Sequence, residues 1–189
     1  MQSTKQATTG QMLARGVAAG VAGTAVMTTF QKFVEMPLTG RKDSYAPADF
    51  AERVLPIGPT SGEDRKRLNY LTHFALGGMW GTAYGVAAKA GLRGPKAVGA
   101  VFAAVYSVDV LLNTALGLYK PTQWSTQDWL VDVGNKYIQA QATGVIFDRF
   151  LDPQRDSGAN QGLPRHVAEG SRLSRRCRTG RAQASLTRP

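Results

Sequence analysis

The chain has 189 residues, is 43% hydrophobic and 8% aromatic, and carries a net charge of +10. That composition excludes global disorder and supplies enough apolar material for one domain or two small ones. A single cysteine, Cys177, excludes both a disulfide framework and a cysteine-built metal site.

Residues 1–11 read as a short N-terminal tail. Residues 12–151 then carry four apolar helical segments, at about 12–36, 68–90, 95–118 and 126–151, which predict an all-α, four-helix transmembrane bundle. The first, "QMLARGVAAGVAGTAVMTTFQKFVEM", has no charge between Arg15 and Lys32 and is expected to end at Met36, before Pro37. The loop after it contains "APADFAERVLP", in which Pro47 sits at a helix start. Phe50, Ala51, Val54 and Leu55 share a face there, the pattern of a short interfacial helix.

The second segment, "LNYLTHFALGGMWGTAYGVAAKAGL", is uncharged from Leu68 to Ala88, stops at Gly91, and reads as the clearest span of the four. The third starts at Gly94-Pro95, a helix-opening pair, and contains one charge, Asp109. The fourth follows Pro121. Ser125 and Asp128 give it a capping-box start, and Asp128, Asp132 and Lys136 make its first half polar, so only Tyr137 to Phe147 is continuously uncharged. The mean hydropathy of −0.22 averages these segments with a polar first loop and an arginine-rich tail. Soluble helices normally keep a charged outer face, and the first three segments have almost none.

Small residues recur every four positions. His73 leads Gly77, Gly81 and Gly85; the first helix has Gly16, Gly20, Thr24 and Thr28; the third has Gly99, Ala103 and Ser107; the fourth has Ala140 and Gly144. Glycine costs a water-exposed helix about 1 kcal/mol relative to alanine. In lipid, where apolar burial does little to join helices, small residues repay that cost by letting backbones approach. The ridges are therefore expected to be helix contact faces.

Ionisable and amide groups inside spans are expensive and mark candidate sites. Asp109, Asn113 and Gly117 share a ridge on the third helix, and Asp132 and Lys136 form an acid-before-base i,i+4 pair on the fourth. With His73 they define a candidate intramembrane cluster: His73, Asp109, Asn113, Asp132 and Lys136. Asp109, near the centre of its span, is the member that most needs a partner. Asp128 reads as a cap, and Asp148, Arg149 and Asp152 as groups solvated at the membrane surface.

Residues 152–189 read as a disordered, basic tail. From Pro153 onward it holds eight arginines against Asp156 and Glu169, a net +6. Such a tail suits anionic lipid headgroups, and the lack of interleaved aromatics argues against nucleic acid. Four crossings put both termini on one side. The basic flanks Lys5, Arg15, Lys89, Arg93 and Lys96 make that side cytoplasmic, although the first loop is itself basic.

A small-residue first span ending in "EMPLTGR", a His-led glycine-rich second span, a third span after a short basic turn, "KPTQW", and a final span with a glycine pair together resemble the YagU-type bacterial inner-membrane proteins of unknown function. The resemblance covers about residues 12–151. It implies membrane residence and fold but no reaction. Where that family carries Gly-His on the last helix, this chain has Gly134-Asn135, which weakens any metal or proton role carried over.

There is no phosphate loop, dinucleotide fingerprint, HExxH pair or positioned nucleophile, so neither catalysis nor a cofactor is expected, and His73 and His166 do not form a metal ligand set. The reading that results is a structural or accessory protein of the bacterial inner membrane, packing against a second copy or a larger membrane complex. The alternative is a small transporter or proton-responsive protein that uses the His, Asp and Lys cluster.

Overall fold

A computed structural model describes residues 8–152, all of whose regular structure is helical. The basic tail and the first seven residues lie outside the described residues.

Helix α1 spans Thr9–Thr39. Thr8 and Gln11 form a reciprocal capping box at its start. The sequence predicts an end at Met36, before Pro37, but the helix runs on through the proline. The ladder widens into a π turn over Gln31–Glu35, which relieves the clash of the proline ring with the preceding turn, and the helix stops only at Gly40, with φ of +69°.

Helix α2 is Ala46–Val54 and α3 is Gly62–Lys89. The start of α3 lies six residues ahead of the expected Leu68, because the charged "GEDRKR" turns are helical too, with Glu63 and Asp64 favourably placed in the first turn. Helix α4, Gly94–Ala115, ends shortly before Gly117, and α5, Thr126–Ile146, runs into a second π turn at Phe147–Leu151. The Ser125–Asp128 capping box opens α5.

Helix α1 packs along α3 and α5, and α4 packs on the same two helices. Polar ties fix which ends meet. At the end carrying Thr8 and Asp152, Arg15 donates to the Leu151 carbonyl at 3.0 Å and Arg93 pairs with Asp152 at 2.6 Å. Asp148, expected to be merely solvated there, accepts from the Tyr84 hydroxyl at 2.7 Å and from the Gly94 N–H at 2.8 Å. At the opposite, loop end, Arg41 pairs with Asp128 at 2.7 Å and Arg53 donates to the Leu116 carbonyl at 3.2 Å.

Helix α2 lies on α3 through Ala48 and Ala51, with the Ala48 N–H on Asn69 Oδ1 at 3.1 Å. The apolar face expected for α2 is thus divided: Ala51 is buried, whereas Val54 and Leu55 are half-exposed.

By length and hydropathy two helices could cross a membrane, Thr9–Thr39 and Gly94–Ala115. The sequence reading favoured the second segment most, yet α3 falls short, because its glycines and polar residues dilute the leucines and valines. The most apolar windows of α1 and α4 are only 33% and 22% buried.

Candidate functional site

Two structures built from small and polar residues meet inside the molecule. The first is a glycine seam between α1 and α3. A Cβ placed on Gly81 would fall on the Gly16 carbonyl oxygen and lie 2.7 Å from the Gly20 Cα, and one on Gly85 would come within 2.9 Å of the Met12 carbonyl. A Cβ on Gly77 would strike the Thr24 hydroxyl. Gly16, Gly20, Gly77, Gly81 and Gly85 thus lie in one backbone-to-backbone contact.

Thr24 uses that contact twice, donating to the Gly20 carbonyl at 2.8 Å and accepting from Gln139 Nε2 of α5 at 2.9 Å. Gly144 receives Val98 and Tyr84, with a Cβ there 2.6 Å from Val98 Cγ2. Gly23, which the four-residue ridge reading passed over, abuts Thr143 on α5. It sits on the neighbouring ridge of α1, so one helix offers two small-residue faces to two partners.

Gly99 corrects the expectation for the third helix. It is exposed, a Cβ on it would meet nothing within 4 Å, and Ala103 and Ser107 are exposed beside it. The inward face of α4 is instead the one bearing Val98, Val101, Phe102, Val105 and Tyr106, whose larger side chains reach the core. Larger side chains hold α4 further off.

That spacing opens a cavity of about 290 Å³ towards the loop end, bounded by all four long helices and roofed by α2 residues including Pro47 and Phe50. All five members of the candidate cluster line it. The Lys136 ammonium donates to Asp109 Oδ2 at 2.5 Å and lies 3.0 Å from Asp132 Oδ1. Asn113 donates to Asp109 Oδ1 at 3.1 Å, and the Tyr106 hydroxyl donates to Asp132 Oδ2 at 3.0 Å. Lys136 also stands 5.2 Å from the ring centroids of Tyr106 and Tyr119, a cation–π arrangement. His73 does not join this group. Its Nε2 is 3.1 Å from the Thr28 hydroxyl, which places it on the α1–α3 wall of the same cavity.

Lys136, Asp109 and Asp132 expose 16%, 22% and 23% of their side chains. Two carboxylates share one ammonium, so with all three ionised the group carries one net negative charge. Burial holds the Tyr119 phenol, in the loop beside this group, above its ordinary range.

Tyr106, Tyr119 and Gln139 belong to the site and were not singled out from the sequence, and Asn135 was noted there only as the residue in place of the family's histidine. Three of them could have been: Tyr106 lies one turn before Asp109, and Asn135 and Gln139 continue the Asp132 face at three- and four-residue steps. Tyr119 is brought in by the α4–α5 loop and has no such signal. Among the described residues no group of three or more His, Cys, Asp or Glu side chains could hold a metal ion. Comparison of the chain with family models, curated proteins and solved structures finds no match.

Proposed function

We propose that the chain is a small integral membrane protein whose four long helices cross the bilayer as one bundle, held together by small-residue faces. The observation that carries this reading is where polar and large apolar side chains fall. Thr24, Asn113, Asn135, Gln139 and Thr143 are buried, while Val21, Leu71, Met79, Leu111, Leu130 and Val145 are exposed on the four helices. Trp80, Tyr84, Val98 and Phe147 are buried too, so the interior is mixed, but large apolar side chains left outside on every long helix suit hydrocarbon better than water. The layout, which resembles that of YagU-type proteins, supports the same reading and a bacterial inner-membrane location, and the basic flanks Lys5, Arg15, Lys89, Arg93 and Lys96 support cytoplasmic termini. In this arrangement α2 lies at the interface, with Val54 and Leu55 towards lipid. The role is structural or accessory, with a second copy or a larger membrane complex as partner, and is not catalytic.

The test is fractionation: the full chain is expected to stay in the membrane pellet after an alkaline carbonate wash. Its release as a folded, monodisperse species would overturn the bundle in lipid.

The cavity favours a second reading, a small transporter or proton-responsive membrane protein that uses the His, Asp and Lys cluster. A purely structural bundle gains nothing from a buried, charge-imbalanced group, which costs stability compared with an apolar core.

A further inference from the structure

The second reading can be made chemical by asking what the cavity lacks. The donors deep inside it are committed: Lys136 to both carboxylates, the Tyr106 hydroxyl to Asp132, Asn113 Nδ2 to Asp109, and Gln139 Nε2 to Thr24. Asn135 is 8% exposed and lines the cavity, and its Oδ1 is a buried acceptor with no hydrogen-bond partner. It lies one helical turn beyond Asp132. An acceptor without a donor, beside two carboxylates that share one ammonium, calls for a positive hydrogen-bond donor.

The walls say what that donor is attached to. Met27, Leu76, Trp80, Val105 and Leu112 give the cavity an apolar body, and at the loop end it is lined by Asp43 and by Lys32, Arg41 and Lys66, which engage Tyr70, Asp128 and Glu63. Between α3 and α4 its lining reaches the outer surface at Met79 and Val108, 64% and 61% exposed. A bare inorganic ion would leave most of this space apolar and unfilled. A volume of about 290 Å³ is at the lower end of small-molecule pockets, roughly 300–1,000 Å³.

We propose that this cavity is a binding site for a small monovalent organic ammonium ion, its head held by Asp132 and Asn135 Oδ1 and its apolar body directed towards Met79 and Val108. This proposal rests on the reading of the cavity as a ligand site. It adds a ligand class, fixed by charge at one end and by apolar walls at the other.

The test uses the purified full chain in lipid nanodiscs at fixed ionic strength, titrated with phenethylammonium chloride, 2-phenylethanol, sodium phenylacetate and sodium chloride, and read by calorimetry and thermal shift. Phenethylammonium is expected to bind saturably and raise the melting temperature, and the alcohol, the carboxylate and sodium chloride to do neither. Asp132→Asn and Asn135→Leu should each weaken binding about tenfold or more, the loss of one hydrogen bond to a charged head. Gly99→Ala, outside the cavity, should leave it unchanged. If Asp132→Asn does not fold, Asn135→Leu decides alone. Equal binding of 2-phenylethanol would make the cavity an apolar pocket only, a preference for phenylacetate would reverse the assigned charge, and saturation by sodium alone would make it an inorganic ion site; each overturns the proposal. A folded chain that stays in the carbonate pellet yet binds none of the four overturns the ammonium site and leaves the membrane reading intact.

Discussion

Along α1 and α3 the two backbones touch, with Gly81 lodged between Gly16 and Gly20. Along α4 the inward residues are Val98, Phe102, Val105 and Tyr106, and the helix stands off far enough to leave a cavity. The same device, a small residue every four positions, is present on both α1 and α4, but only on α1 does it face a neighbour. A glycine ridge therefore marks a close approach only when the helix turns that ridge inward, and the rotation of a helix is set by what its other faces must do. Helix α4 has to bring Tyr106 and Asp109 to α5, which leaves Gly99, Ala103 and Ser107 outside.

The largest effect should come from breaking the tight region. Gly81→Leu puts a side chain where the α1 backbone lies and is expected to cost about 3 kcal/mol or more, measured as thermal stability in mild detergent. Gly99→Ala, on the open side, should be neutral or stabilising by up to about 1 kcal/mol. Equal sensitivity at the two glycines would erase the distinction between the seam and the exposed ridge.

A smaller effect sharpens the charge balance of the cavity. Lys136→Met leaves two neighbouring carboxylates without their cation and should cost about 3 kcal/mol. Asp109→Asn leaves a one-to-one Lys136–Asp132 pair, keeps an acceptor for Asn113, and should cost only about 1 kcal/mol. Chemical denaturation of both variants checks the ordering. Equal costs would mean that Asp132 does not serve as the second partner of Lys136.

The smallest effect lies near the end of α2. Glu52 accepts from the Thr60 hydroxyl at 2.6 Å and the Thr60 N–H at 2.8 Å, and these bonds hold its carboxyl below the ordinary value of 4.5. A carboxylate depressed on folding stabilises the fold above the unfolded value and loses that contribution as pH falls through the folded one. The stability difference between the native chain and Glu52→Gln should therefore be constant near neutrality and shrink as pH is lowered below about 4.5. A difference independent of pH would show that the Thr60 bonds do not depend on the charge.

Local chemistry made part of this legible in one dimension. The Ser125–Asp128 box, the Lys136 partner four residues after Asp132, and the presence of long helices all follow from interactions within a turn or two, which spacing along the chain fixes. The candidate cluster was legible for the same reason, since carboxylates and a lysine in otherwise uncharged helices stand out by type. Its membership was not. His73 turns to Thr28 instead of Asp109, and Tyr119 and Asn135 enter from a loop and from a ridge that polarity alone does not distinguish.

By itself the sequence determined that the chain is helical, that its helices carry charge in few places, and that glycines recur at contact spacing. These are properties of single helices, set by periodicity and side-chain type. The tertiary structure decided which glycine ridge meets another, that Asp109 takes Lys136 as its cation, and that a cavity opens beneath α2. Each of those depends on the rotation and separation of one helix relative to its neighbours. Rotation and separation are fixed by side-chain volumes on two or more helices at once, a sum that no single stretch of sequence contains.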